Sequence, residues 1–170
     1  ILSAQLQQST SNIHLIEALI STGNANVVPI LENAYPQKDI RSNQLLLQGL
    51  AQFGKVSSKS ILQKAVLKTN NQFDAQQALE SYVMYLTNTK SVSDLINLSK
   101  STGLNSASKA LIASALVRVS DNHVATAWTQ FSTLDKASSH AILLKMVKVA
   151  SKTDWASFAS KFNGLSVTKQ

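Results

Sequence analysis

The 170-residue chain contains no cysteine. That excludes disulfide frameworks, thiolate-bound zinc and cysteine nucleophiles. Its 5 Gly and 2 Pro are too few for a sandwich or barrel, which turns sharply about every 8–12 residues. Three histidines, His14, His123 and His140, stand far apart with no HExxH or other ligand spacing, so no metal site is expected. The sequence has no GxSxG nucleophile motif and no glycine-rich phosphate or dinucleotide loop. The 9 acids are scattered, with no close pair suited to acid–base work. A catalytic role and a cofactor are therefore not expected. Arginine is nearly absent: Arg41 and Arg118 stand beside 14 lysines. This scarcity disfavours bidentate reading of phosphate or guanine, although loose electrostatic attraction survives. No 18-residue apolar run occurs, so no transmembrane helix is expected. The opening Ile1-Leu2-Ser3, without Met or signal-peptide shape, is what a processed product or excised fragment would show.

The chain is 44% apolar and 15% charged. The apolar share is too high for intrinsic disorder, and the charged share lies below the roughly 25% of an average domain. Neutral polar groups do most of the solvating: 24 Ser, 13 Gln, 12 Asn and 11 Thr. A net charge of +7 favours acidic partners.

Apolar residues recur at three- and four-residue spacing almost throughout, the helical period. Breaks fall at Gly23, Gly54, Asn88, Ser120 and Ser151, separated by 31, 34, 32 and 31 residues. Seven residues after each come Ile30, Ile61, Leu95, Ala127 and Phe158, and eight after come Leu31, Leu62, Ile96, Trp128 and Ala159. Seven or eight before stand Leu15 and Ile16, Leu46 and Leu47, Ser81, Ala113, and Leu143 and Leu144. Gly, and less readily Asn, adopts the left-handed conformation that ends a helix. Ser57, Ser58, Ser91, Ser93 and Thr153 are placed to cap the helices that follow. Pro29 sits early in a second helix, where a missing N–H costs least, and Pro36 closes it. The pattern predicts helices over 11–22, 25–35, 38–53, 57–69, 72–87, 91–102, 104–119, 121–132, 135–150 and 154–163. The expected fold is all-α: a right-handed α-solenoid of about five antiparallel helix pairs, in one domain over 1–170. Its units are 11–35, 38–69, 72–102, 104–132 and 135–163. One pair cannot bury its apolar face alone, so units stack.

Leu15 to Gly23 followed by Val27-Val28-Pro29-Ile30-Leu31 resembles a HEAT-type repeat, in which a Gly-ended helix runs into a Val-Pro-x-Leu second helix. Leu46 to Gly54 with Ile61-Leu62 is also similar to pentatricopeptide repeats, as is Ala156 to Phe162. A stretch of about fifteen residues, Val119-Ser120-Asp121-Asn122 leading to Ala127-Trp128 and Phe131, resembles part of the C-terminal helical domain of M1-type zinc aminopeptidases. Arrays of this kind present an extended concave surface, so the first expectation is a non-catalytic scaffold that grips a protein or peptide there. The pentatricopeptide resemblance implies an RNA-associated module that contacts phosphates through lysine-rich edges, and the aminopeptidase one a helical accessory domain of a larger enzyme.

Lysines are the most informative polar residues. Lys55, Lys90 and Lys152 follow breaks and are expected to line one edge of a regular stack. Lys59, Lys64 and Lys68 share one predicted helix without an acid, and Lys145 and Lys148 precede Lys152 on another. These eight form the expected basic binding edge. Trp155, at the start of the last predicted helix, is the expected partner anchor. His14 and Glu17, three apart, are expected to meet as a surface pair, and Tyr82 and Tyr85 to share a half-buried helix face. The sequon Asn97-Leu98-Ser99 falls inside a predicted helix and reads as chance.

Overall fold

The structure, a computed structural model, describes residues 13–37, 39–68, 72–119, 155, 156, 159 and 160. The described residues are helical with connecting turns, and no strand occurs among them. The helices are α1 (Ile13–Ser21), α2 (Val28–Ala34), α3 (Ile40–Phe53), α4 (Lys59–Lys68), α5 (Gln72–Asn88), α6 (Val92–Ser99) and α7 (Ser106–Val119). Short 3₁₀ turns at Ala25–Val27 and Val56–Ser58 lead into α2 and α4. The expected helices over 121–132 and 135–150 lie outside the described residues. Of the one over 154–163, residues 155, 156, 159 and 160 are described, and all four are helical. Contacts group the chain into two compact units, one ending at Thr89 and the other beginning at Lys90.

In the first unit, α1 packs on α3 and α3 packs on α5, while α2 lies against α3 and α4 against α5. The residues seven before each break supply the buried faces: Ile16, Leu47 and Ser81 are all buried. Ser81 is the polar one, and its hydroxyl donates to the Gln77 carbonyl at 3.1 Å, one turn back. Leu31, Leu46, Leu50, Leu62 and Leu86 are fully buried. Removing a leucine-sized side chain from water stabilises by about 1.5–3 kcal/mol. Gly49 on α3 leaves no room for a side chain against Ile20 of α1. A Cβ there would stand 2.6 Å from Ile20 Cδ1 and 3.4 Å from Leu31 Cδ1.

The turns follow local chemistry. Gly23 and Gly54 both take positive φ, +63° and +62°, which costs an L side chain about 1–2 kcal/mol. The third break differs from expectation. Asn88 is the last residue of α5, and its side chain donates to the Ala51 carbonyl at the end of α3, 3.2 Å away. That carbonyl is among the last four of its helix and lacks an intrahelical donor. The left-handed residue is Lys90 instead, at φ 52°. It falls 36 residues after Gly54, and no 3₁₀ turn precedes α6.

The caps also differ from expectation. Ser57 and Ser58 do not cap α4. Both hydroxyls donate to Glu32 Oε1 on α2, each at 2.7 Å, and tie the two second helices together. Ser91 is the N-cap residue of α6 but makes no side-chain cap bond, and Ser93 is an exposed residue within that helix. Thr153 lies outside the described residues. The side chains that cap are Asn24, Asp39 and Asn105, which accept from the N–H groups of Asn26, Ser42 and Ser108 at 2.9, 2.8 and 2.8 Å. Each offers an oxygen to an N–H that has no carbonyl partner in its own helix.

Two predictions arise here. Glu32→Ala strands the fully buried Ser58 hydroxyl and should lower unfolding free energy by about 1–3 kcal/mol. Urea denaturation checks this, and Glu32→Gln, which keeps an acceptor oxygen, should lose less. The second concerns Asp39. The Ser42 hydroxyl, foremost, and then its N–H hold the Asp39 carboxyl below the usual aspartate range. A depressed folded pKa contributes stability that is present above the unfolded pKa of about 3.9 and is lost as pH falls through the folded value. Asp39→Asn should therefore flatten the acid limb of the stability–pH profile below about pH 4 and leave its neutral region shaped as before. An unchanged acid limb would contradict this.

In the second unit, α6 packs on α7. Among the described residues, Leu95 from α6 and Ser108, Ile112, Ala113, Ala115, Leu116 and Val117 from α7 are buried. Gly103, at φ +83°, serves the turn between the two helices. The α6 helix ends at Ser99, earlier than the spacing predicts, and Ser99 Oγ donates back to the Ile96 carbonyl at 2.7 Å. The sequon lies within this helix.

Candidate functional site

Three helices of the first unit present the same local pattern, an i, i+3, i+4 triplet on one face. From α3 come Ile40, Asn43 and Gln44, with Leu47 one turn on; from α4, Ile61, Lys64 and Ala65; from α5, Asp74, Gln77 and Ala78. With Tyr35 and Pro36 from the α2–α3 connection they line an open groove of about 430 Å³. That volume lies within the roughly 300–1,000 Å³ of ligand sites.

The groove has an apolar floor and a polar rim. Leu47, Ala65 and Ala78 are buried. Ile40, by contrast, leaves 53% of its surface in water. Asn43 is committed to the wall. Its Oδ1 accepts from the Gln37 N–H at 2.6 Å and its Nδ2 donates to the Gln37 carbonyl at 2.8 Å. This two-way clamp fixes the connection that carries Tyr35 and Pro36. The side-chain amides of Gln44 and Gln77, the Lys64 ammonium and the Asp74 carboxylate have no hydrogen-bond or ion-pair partner among the described residues. Burial pushes the Tyr35 phenol above its ordinary pKa.

The lysines fall into different settings. Lys64 is exposed and lines the groove. Lys59 opens α4, half-buried, five residues earlier and on another side of the helix, and Lys68 is the last residue of α4. Lys55 is exposed and extended (φ −75°, ψ 140°), one residue after the left-handed Gly54, whereas Lys90 is itself the left-handed residue of its turn. Lys55 and Lys90 thus do not hold equivalent backbone positions, because the third turn lacks the 3₁₀ segment. Lys145, Lys148 and Lys152 lie outside the described residues. Trp155 is helical and half-buried.

His14 Nδ1 lies 3.5 Å from Glu17 Oε2 on the surface of α1, the expected pair. Tyr82 and Tyr85 do share a face, but both are buried, with ring centroids 6.4 Å apart and planes 13° from parallel. Among the described residues no cluster of three His, Cys, Asp or Glu could hold a metal ion. No helix there is long and apolar enough to cross a membrane.

Sequence reasoning reached Lys64 and placed Ile61 and Leu47 in packing slots, but it did not see the groove. The available signal was the mixed apolar–amide triplet repeated on three successive helices. Compared with known proteins, the chain matches no family model, no curated protein and no solved structure.

Proposed function

We propose that the chain is a non-catalytic right-handed α-solenoid of about five helix pairs, whose first unit holds an extended peptide of a partner protein. The series packing of α1, α3 and α5, with each second helix against the next first helix, supports the solenoid. The observation that carries the binding role is the groove: an apolar floor bordered by the unpartnered amides of Gln44 and Gln77. A carboxamide both donates and accepts, so it matches the alternating N–H and C=O of an extended backbone. An apolar side chain of the peptide would cover the floor and Ile40.

This reading is favoured over an RNA-binding one. Single-stranded RNA is held by stacking on exposed aromatic rings. No aromatic side chain described in the chain is exposed: Tyr35, Phe53 and Trp155 are half-buried, and Tyr82 and Tyr85 are buried.

Panning a random dodecapeptide library on the chain, then titrating a recovered peptide into isotope-labelled protein, tests the proposal. Amide shifts should centre on 35–47, 61–65 and 74–78. Ile40→Ser, at an exposed position, should weaken binding about tenfold. Shifts centred elsewhere, or no recovered peptide, would reject the groove.

A further inference from the structure

Resting on the peptide-groove reading, we infer that the occupant is an acidic peptide, with an apolar anchor flanked by Asp or Glu that Lys64 receives. From Ile40 to Phe73 the chain carries Arg41, Lys55, Lys59, Lys64 and Lys68 and not one acid. This run forms two of the three helices that line the groove. No described residue pairs with Lys64, which stands between Ile61 and Ala65 of the apolar floor. A cation beside a surface of lowered polarity attracts a carboxylate more strongly than one in open water. It also penalises a peptide cation by the same argument.

The exposed side of α4 and its leading turn adds to this. Val56 and Leu67 are large apolar residues left 84% and 78% exposed. Ser60, Gln63 and Lys64, all exposed, lie between them. From Ser60 to Leu67 these positions follow one another at three, one and three residues, one helical stripe about 10 Å long, and Val56 stands on the 3₁₀ turn that leads into it. A partner that meets this stripe covers its apolar ends and a cation with no ion-pair partner among the described residues. The one groove acid, Asp74, comes from α5. It has no hydrogen-bond or ion-pair partner among the described residues, and a peptide N–H is a suitable one.

The test uses the full chain and two peptide pools with the same randomised Leu, Ile, Phe and Met anchors, one flanked by Glu and one by Lys, with a uridine oligonucleotide as a third probe. The Glu-flanked pool should be retained about tenfold better than the Lys-flanked pool, and Lys64→Glu should reverse that preference. Lys64 is exposed, so the variant should keep the helical circular dichroism of the parent. Equal retention of both pools, lost in Ile40→Ser, would overturn the acidic preference and leave the peptide groove standing. Retention of neither pool would overturn both. Retention of the oligonucleotide above the Glu-flanked pool would overturn the inference in favour of phosphate binding.

Discussion

Leu50→Ala is expected to lower the free energy of unfolding by about 2–5 kcal/mol. Leu50 is fully buried on α3, the helix that contacts α1, α2, α4 and α5. Truncation removes apolar surface from the interior and leaves a cavity, and helices held on several sides cannot all close in. Domains have only about 5–15 kcal/mol of net stability, so one truncation takes a large share. The control is Val56→Ala, at a position left 84% exposed, which should stay within about 0.5 kcal/mol. Urea midpoints of the two variants decide the matter. Equal losses would mean that α3 is not the packed centre of its unit.

Gly49→Val should be comparably damaging, for the opposite reason. A Cβ at Gly49 would stand 2.6 Å from Ile20 Cδ1 and 2.7 Å from Ile20 Cγ1. The outer methyl can swing away, but Cγ1 moves only if the branched, stiff χ1 of Ile20 changes. Overpacking of this kind costs about 1–3 kcal/mol. Alanine at the same place recovers up to about 1 kcal/mol of helix propensity, so Gly49→Ala should lose less than Gly49→Val, whose β-branch adds two more carbons. The contact is specific, and so is its test. Ile20→Ala removes both crowding carbons, and the Gly49→Ala/Ile20→Ala pair should be coupled by more than about 0.5 kcal/mol. Strict additivity would place the clash elsewhere.

The helical class and the positions of the helices were legible because burial and period coincide. Ile16, Leu47, Ser81 and Ala113 stand at one offset from successive breaks, and all four are buried. Ser81 shows why polarity alone does not mark the surface: a small hydroxyl satisfied by its own helix fits a buried slot. The turn after α5 was misread because Asn88 has two uses. Its amide can support a left-handed turn or cap a neighbouring helix, and only the closeness of α3 selects the second. Ser57 and Ser58 were misread for the same reason, since Glu32 lies 25 and 26 residues away in sequence. Gly49 carries no turn signal, and its role appears only when α1 and α2 are laid against α3. The groove needed three helices at once. Each triplet is an ordinary half-buried face in its own helix, and convergence comes from the packing of α3 and α4 on α5.

Methyl–methyl nuclear Overhauser effects measure directly whether the helices of the first unit pack in series. Labelled methyls of Ile16 and Leu19 in α1, Leu46 and Leu50 in α3, and Val83 and Leu86 in α5 report the order of layers. Strong cross-peaks are predicted from α1 to α3 and from α3 to α5. Cross-peaks of equal strength from α1 directly to α5 would mean a closed bundle and would contradict the account.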